Sequence, residues 1–290
     1  MTVHEALARG VGALERAGVE NPRLDGALLL SRVLGADRTR LITCGHEQIS
    51  PGAQQEDRAL TSRRAGGECT AYILGRKEFW GLDFLVTPDV LVPRPDTETL
   101  VEAALRRLDC LGPAPSLLDM GSGSGAVGIA LKHERPELAV LLADISPAAL
   151  AVAGENVRRL LLSSGSFNSF YKKEPAPRCR ESALFDRIPE QFDCITANLP
   201  YIPSAMIETL PLEVRREPRL SLDGGPDGLG VIAPFIKAAK TRLRAGGAVL
   251  IEADPSQIDR IGSLLSAGGY RDIRTRADLS GAARVIDALR

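Results

Sequence analysis

The chain has 290 residues, 44% apolar and 25% charged, which is ordinary for a globular protein with material for a sizeable core and two domains. A formal net charge of −1 offers no global attraction to nucleic acid or anionic lipid, no apolar run approaches the ~20 residues of a bilayer span, and the amino terminus lacks a secretory leader, so a cytoplasmic location is expected. The five cysteines (Cys44, Cys69, Cys110, Cys179, Cys194) form no C-x-x-C pair and the three histidines (His4, His46, His133) are scattered, so reduced thiols and metal-free chemistry are expected.

Residues 1–75 read as a small helical domain. Leu7, Val11 and Leu14 recur at helical spacing and Gly18 suits the end of that helix. Asn21-Pro22 starts a second helix carrying Leu24, Leu28 and Leu29, and further short helices fill the span to Tyr72. Nine arginines balance nine acids here. Residues 76–92, with the β-branched and aromatic run FWGLDFLVTPDVLV, read as a β-hairpin linker broken at Gly81 and at Thr87-Pro88-Asp89.

Residues 93–290 alternate strand and helix. Strands are expected at Ser116–Met120, Leu138–Ala143, Phe192–Ala197, Gly247–Glu252, Arg271–Thr275 and Ala283–Ala288, with helices at Ala126–His133, Ala148–Leu162 and Ile258–Ala267. Such alternation implies a mostly parallel sheet covered on both faces. Residues 163–181 carry Ser, Gly and two Pro where a third strand belongs. Lys172, Lys173, Arg178 and Arg180 stand there beside Phe167, Phe170 and Tyr171, a mixture able to touch nucleic acid but read as a solvated surface loop.

Asp119-Met120-Gly121-Ser122-Gly123-Ser124-Gly125 follows a strand and opens a helix. Glycines there let a ligand approach the backbone, and Asp144, nineteen residues beyond Gly125 at the next strand's end, can accept from both hydroxyls of a ribose. A dinucleotide fold also fits a glycine loop. The G-x-G-x-G spacing and a second motif downstream favour S-adenosylmethionine over a nicotinamide. Asp119 is expected to orient the loop or face the cofactor's methionine part.

The second motif is Asn198-Leu199-Pro200-Tyr201, just past a strand. An amide or adenine nitrogen is a poor nucleophile because its lone pair is delocalised. Two acceptors out of the amide plane, the Asn198 side-chain carbonyl and the Leu199 backbone carbonyl, can hold both N–H hydrogens and free that lone pair. Pro200 restricts the preceding residue, and Tyr201 is expected to pack its ring on a planar substrate group. No strong base is needed before attack.

With these motifs in hand, the chain resembles the glutamine methyltransferases of peptide chain release factors, the PrmC/HemK family. The likeness spans nearly the whole chain: Phe79-Trp80-Gly81, Leu91-Val92-Pro93-Arg94-Pro95-Asp96-Thr97-Glu98, Leu118–Gly125, Asp144-Ile145-Ser146, Asp223–Leu229 and Arg284-Val285. The resemblance implies an α/β fold, a Rossmann-like class I methyltransferase sheet with a small N-terminal helical domain joined by a β-hairpin. It implies S-adenosylmethionine bound by Gly121, Ser122, Gly123, Ser124, Gly125, Asp144 and Asn198, and catalysis by Asn198, Leu199, Pro200 and Tyr201. Arg94 and Glu98 would wall the substrate pocket. The substrate would be the glutamine of the Gly-Gly-Gln loop in class I release factors, gripped by the helical domain of a monomer that meets nucleic acid only indirectly, at the ribosome.

Three positions depart from the family pattern. Leu199 stands where Asn-Pro-Pro-Tyr has its first proline. No acidic residue occupies the adenine-facing place near Ala183, although Glu181 is adjacent, and Ile251-Glu252-Ala253-Asp254 replaces Leu-Glu-Ile-Gly. Asn-Leu-Pro-Tyr is also a spelling of ribosomal RNA adenine dimethyltransferases, so an adenine amine methyltransferase acting on RNA or DNA is the alternative. It would want a basic face. A nicotinamide oxidoreductase would need a hydride-handling site that the sequence lacks, and a degenerate, non-catalytic relative would bind little cofactor.

Overall fold

The computed structural model describes residues 1–162 and 175–290. The chain divides into two compact units, one of Met1–Gly75 with Pro211–Arg216, the other of Arg76–Leu210 with Glu217–Arg290. The smaller unit is therefore discontinuous in sequence.

That unit contains α1 (Val3–Arg16), α2 (Pro22–Leu34), α3 (Arg38–Thr43), α4 (Pro51–Ala65) and α5 (Thr70–Leu74). Thr2 closes a capping box on α1: its hydroxyl accepts from Glu5 N while its own N–H donates to the Glu5 carboxylate. Pro22 opens α2 and Gly35 ends it in the left-handed region. The buried face of α1 is Val3, Ala6, Gly10 and Leu14, so only Leu14 of the expected apolar stripe is fully inside, and Leu24 is exposed where Leu29 and Leu30 are buried. The helical turn Leu212–Arg215 joins this unit for a chemical reason. Arg64, near the end of α4 with its side chain almost fully buried, reaches Asp25 at 2.6 Å and Glu213 at 2.5 Å, and Leu212 occupies the space beside Gly67.

The larger unit opens with β1 (Arg76–Phe79) and β2 (Leu82–Leu85), an antiparallel hairpin. Trp80 and Gly81 take φ of 55° and 70°, the paired positive values that let a two-residue turn follow the strand twist. A tryptophan resists that conformation, and two hydrogen bonds hold it: its backbone N–H donates to Glu98 Oε1 at 2.9 Å and its indole to Glu134 Oε1 at 2.8 Å. Residues 86–92 continue without strand pairing.

Seven strands follow: β3 (Ser116–Met120), β4 (Ala139–Asp144), β5 (Arg178–Glu181), β6 (Phe192–Ala197), β7 (Leu243–Glu252), β8 (Arg271–Ala277) and β9 (Ala283–Leu289). Their order is β5-β4-β3-β6-β7-β9-β8, with β9 antiparallel to both its neighbours and the first five strands parallel. Helices α6 (Glu98–Leu108), α7 (Ala126–Glu134), α8 (Pro147–Val157), α9 (Ile232–Arg242) and α10 (Ile258–Ala267) pack around the sheet. Neighbouring residues point to opposite faces of a strand. Leu141 and Ile251 join one core cluster with Phe235 and Ile261, while Leu142 and Leu250 join another with Leu100 and Ile129. Both faces are thus covered, which gives the α/β fold expected.

Arg178–Glu181, expected in a surface loop, is a strand: it pairs with Leu141–Asp144 at the sheet edge, where polar side chains are tolerated. Residues 163–174, with Phe167, Phe170, Tyr171, Lys172 and Lys173, lie outside the described residues. The strand order reverses between β3 and β6, where an open α/β sheet forms its ligand crevice at the carboxyl ends.

Candidate active site

A cavity of about 570 Å³ opens at that reversal, within the ~300–1,000 Å³ typical of small-molecule sites. Gly121–Ser124 after β3, Asp144–Ser146 after β4, Ser182–Asp186 after β5 and Asn198–Pro200 after β6 all line it.

On one side lies the glycine loop. Gly121, Gly123 and Gly125 have φ of 71°, 53° and 81°, which is why no other residue serves there without strain. The loop is tied to β4 by Gly121 N–H and Ser122 N–H, both donating to Ala143 O. Gly123 N–H donates to Asp144 Oδ2 at 2.9 Å and Ser146 N–H to Asp144 Oδ1 at 2.9 Å, so two backbone amides aim this carboxylate while its remaining lone pairs stay available to a diol. Ser122 Oγ is buried without a hydrogen-bond partner. Exposed backbone, an oriented carboxylate and a spare hydroxyl fit a nucleoside bearing a polar tail.

On the other side is the second motif. Asn198 Nδ2 donates to Thr97 Oγ1 at 3.2 Å. The buried Leu199 side chain packs against Gly121. Tyr201 is not part of the cavity lining; its ring packs half-buried against the core and its carbonyl accepts from Gln257 Nε2 at 2.9 Å. The motif is braced by residues 223–228. Gly224 N–H donates to Ile202 O, Ile202 N–H donates to Leu222 O, and a side chain at Gly224 would meet Pro200 O at 2.8 Å.

Three groups have displaced ionisation. Burial pushes Asp119 up to about 7 against the pull of Thr196 and Gly128, which donate to it. Burial likewise lifts Glu252, at the end of β7, to about 7 against the opposing influence of Thr97, Asn198 and the charge of Arg284. Burial raises Tyr201 to about 12, which keeps it a neutral phenol.

The structure therefore brings Gly121–Ser124, Asp144, Asn198, Leu199 and Pro200 around one cavity, whereas Gly125, expected at the cofactor, opens α7 and does not line it. Arg94 also lines it and pairs with the buried Glu217, whereas Glu98 serves the hairpin. Glu181 sits in the β4–β5 ladder and meets Arg187 at 3.3 Å; the acid that follows β5 onto the cavity wall is Asp186. Thr97 and Asp186 also line the cavity and carry no separate signal in the sequence; Glu252, which closes the apolar run Ala248–Ile251, is buried and does not line it. No group of metal-ligating side chains occurs among the described residues.

Comparison with known proteins identifies relatives of the whole chain. Residues 5–75 match the PrmC N-terminal domain and residues 97–207 the methyltransferase small domain. The release factor glutamine methyltransferase of Moorella thermoacetica is 40% identical over 293 aligned residues, covering 100% of this chain and 99% of that protein. That of Geobacter sulfurreducens is 39% identical, covering 98% and 95%. A methyltransferase from Pyrococcus furiosus shares the fold at 16% identity and a TM-score of 0.50, covering 79% of this chain and 96% of that one.

Proposed function

Since this chain belongs to the release factor glutamine methyltransferase family, we propose that it methylates the side-chain amide nitrogen of the glutamine in the Gly-Gly-Gln motif of class I release factors. Its cofactor is S-adenosylmethionine, a nucleoside with an amino-acid tail, which the glycine loop, Asp144 and Ser122 suit. When bound, that cofactor supplies an electrophilic methyl group.

The observation that carries the reading is that Asn198 and Leu199, just past β6, line the same cavity as the glycine loop, where Asn198 Oδ1 and Leu199 O can serve as a pair of acceptors. They would hold the two amide hydrogens of the glutamine and leave its lone pair free. Pro200 restricts the residue whose carbonyl is used. Tyr201 stays a neutral phenol and serves as a brace rather than a base, since the nitrogen can lose its proton after methylation. Alignment of nitrogen and methyl can contribute ~7–11 kcal/mol.

The helical unit, whose charges nearly balance, is read as the grip on the release factor. No helix of the described residues is long and apolar enough to cross a membrane. A cytoplasmic monomer that meets nucleic acid only at the ribosome is the corresponding reading. Mass spectrometry of a class I release factor incubated with this protein and S-adenosylmethionine tests it. One added methyl on the Gly-Gly-Gln peptide is expected. Cofactor binding without added mass would overturn the substrate assignment in favour of an RNA adenine.

A further inference from the structure

Asn156 lies in the last turn of α8, where it is fully buried. Asparagine is a weak helix former and is seldom buried, so its place there needs a chemical reason. Both of its polar atoms are engaged. Its Oδ1 accepts from Leu85 N–H at 2.8 Å, and its Nδ2 donates to Leu85 O at 3.0 Å and to Ser124 O at 2.9 Å. A primary amide offers one carbonyl and two N–H groups. The carbonyl and one N–H match the backbone of β2 at Leu85, as the next strand of a sheet would match it. The second N–H serves the glycine loop.

Ser124 lines the cavity, whereas Asn156 does not. The peptide link between Ser124 and Gly125 is held at both ends, its carbonyl by Asn156 and its N–H by Ser122 O at 2.7 Å. Gly121 and Ser122 donate to Ala143 O, and Gly123 donates to Asp144. Among the described residues, Ser124 N–H is the one amide of residues 121–125 without an acceptor in the protein. It is available to a ligand. A buried carbonyl needs a partner. Without Asn156 the Ser124 carbonyl must turn to find another, and the loop that carries the free N–H turns with it.

We propose that Asn156 is a positioning residue for the cofactor: it ties the glycine loop to the hairpin strand β2 and so fixes the segment that meets S-adenosylmethionine. The inference rests on the reading of that loop as the cofactor site.

The test uses the full chain, with S-adenosylhomocysteine in calorimetry and with S-adenosylmethionine and release factor in turnover. Asn156→Ala should bind S-adenosylhomocysteine roughly tenfold more weakly, the loss that one hydrogen bond carries. KM for S-adenosylmethionine should rise to match, with kcat at saturation near wild type. Asn156→Asp keeps the size and the acceptor for Leu85 N–H and removes only the donors, so it repeats the comparison if circular dichroism shows the alanine variant unfolded. Trp80→Phe removes the indole bond to Glu134 at the tip of the same hairpin and leaves Asn156 in place. It should lower stability and leave affinity unchanged. An unaltered dissociation constant in a folded Asn156 variant, or an equal loss in Trp80→Phe, overturns the proposal.

A second readout needs no ligand. Hydrogen exchange of the Gly123 and Gly125 amides in the protein alone should quicken in the Asn156 variants and not in Trp80→Phe. Exchange as slow as in the wild type also overturns the tie. Quickened exchange in a protein whose wild type binds no S-adenosylhomocysteine supports the tie while sinking the cofactor reading of the loop.

Discussion

Leu199 lies over Gly121 so closely that a side chain starting at residue 121 would meet Leu199 Cδ2 at 2.9 Å. The glycine loop after β3 and the motif after β6 are in direct contact, so a side chain at residue 121 must displace the end of the Leu199 side chain. Gly121→Ala forces an L-residue to φ 71°, costing about 1–2 kcal/mol before the clash is counted. Urea unfolding should show a lower midpoint at unchanged slope, and methyl transfer should fall as Leu199 O shifts. Wild-type stability and turnover together would contradict a role for this contact.

Asp144 is aimed by two backbone amides toward the cavity. Hydrogen bonds to charged groups contribute ~1.5–3 kcal/mol, so Asp144→Ala should weaken S-adenosylhomocysteine binding by roughly 10- to 100-fold in calorimetry. At saturating cofactor kcat should move much less. An unchanged dissociation constant would remove Asp144 from the cofactor site.

Asn198→Ala removes one of the two proposed acceptors while leaving the glycine loop intact. Loss of a single preorganised hydrogen-bonding group at a reacting centre costs about 10²–10³ in rate. Single-turnover methylation should fall by that order, with cofactor affinity near wild type. Unimpaired turnover would refute its role.

Much of this site was legible in the sequence because it depends on backbone requirements. Glycines at positive φ, a carboxylate ending a strand, and an Asn-x-Pro after another are local signals. What escaped depends on distant packing. Thr97 ends the short helical turn Pro95–Thr97, and its hydroxyl meets Asn198 across 101 positions of sequence. Arg178–Glu181 has the polarity of a loop and becomes a strand because the edge of β4 offers it partners. The allegiance of Glu213 depends on Arg64, 149 positions away.

Asp119 predicts a pH effect with a definite sign. Its carboxyl titrates near 7 when folded against an ordinary 3.8, so the folded state holds the proton more tightly. Stability from this group is full below about pH 4 and is lost as pH rises toward 7. Denaturation of Asp119→Asn and wild type across that window should diverge, the variant gaining relative stability as pH rises. Parallel curves would count against the raised value.

Arg64 pairs with Asp25 and Glu213 in a nearly buried site. Breaking a buried pair leaves a charge uncompensated at a cost of about 3–5 kcal/mol. Arg64→Ala should destabilise the helical unit and expose residues 211–216 to limited proteolysis. Resistance equal to wild type would show that Arg64 does not hold that turn.

The discontinuity of the helical unit also bears on how the protein can be recombined. Six residues from late in the chain complete a unit otherwise encoded at the beginning. A graft of residues 1–75 alone onto a related catalytic portion transplants Arg64 without its Glu213 and Gly67 without its Leu212. For chimeras and gene-fragment libraries, the exchangeable module is two-part, and its junctions fall at 75/76, 210/211 and 216/217.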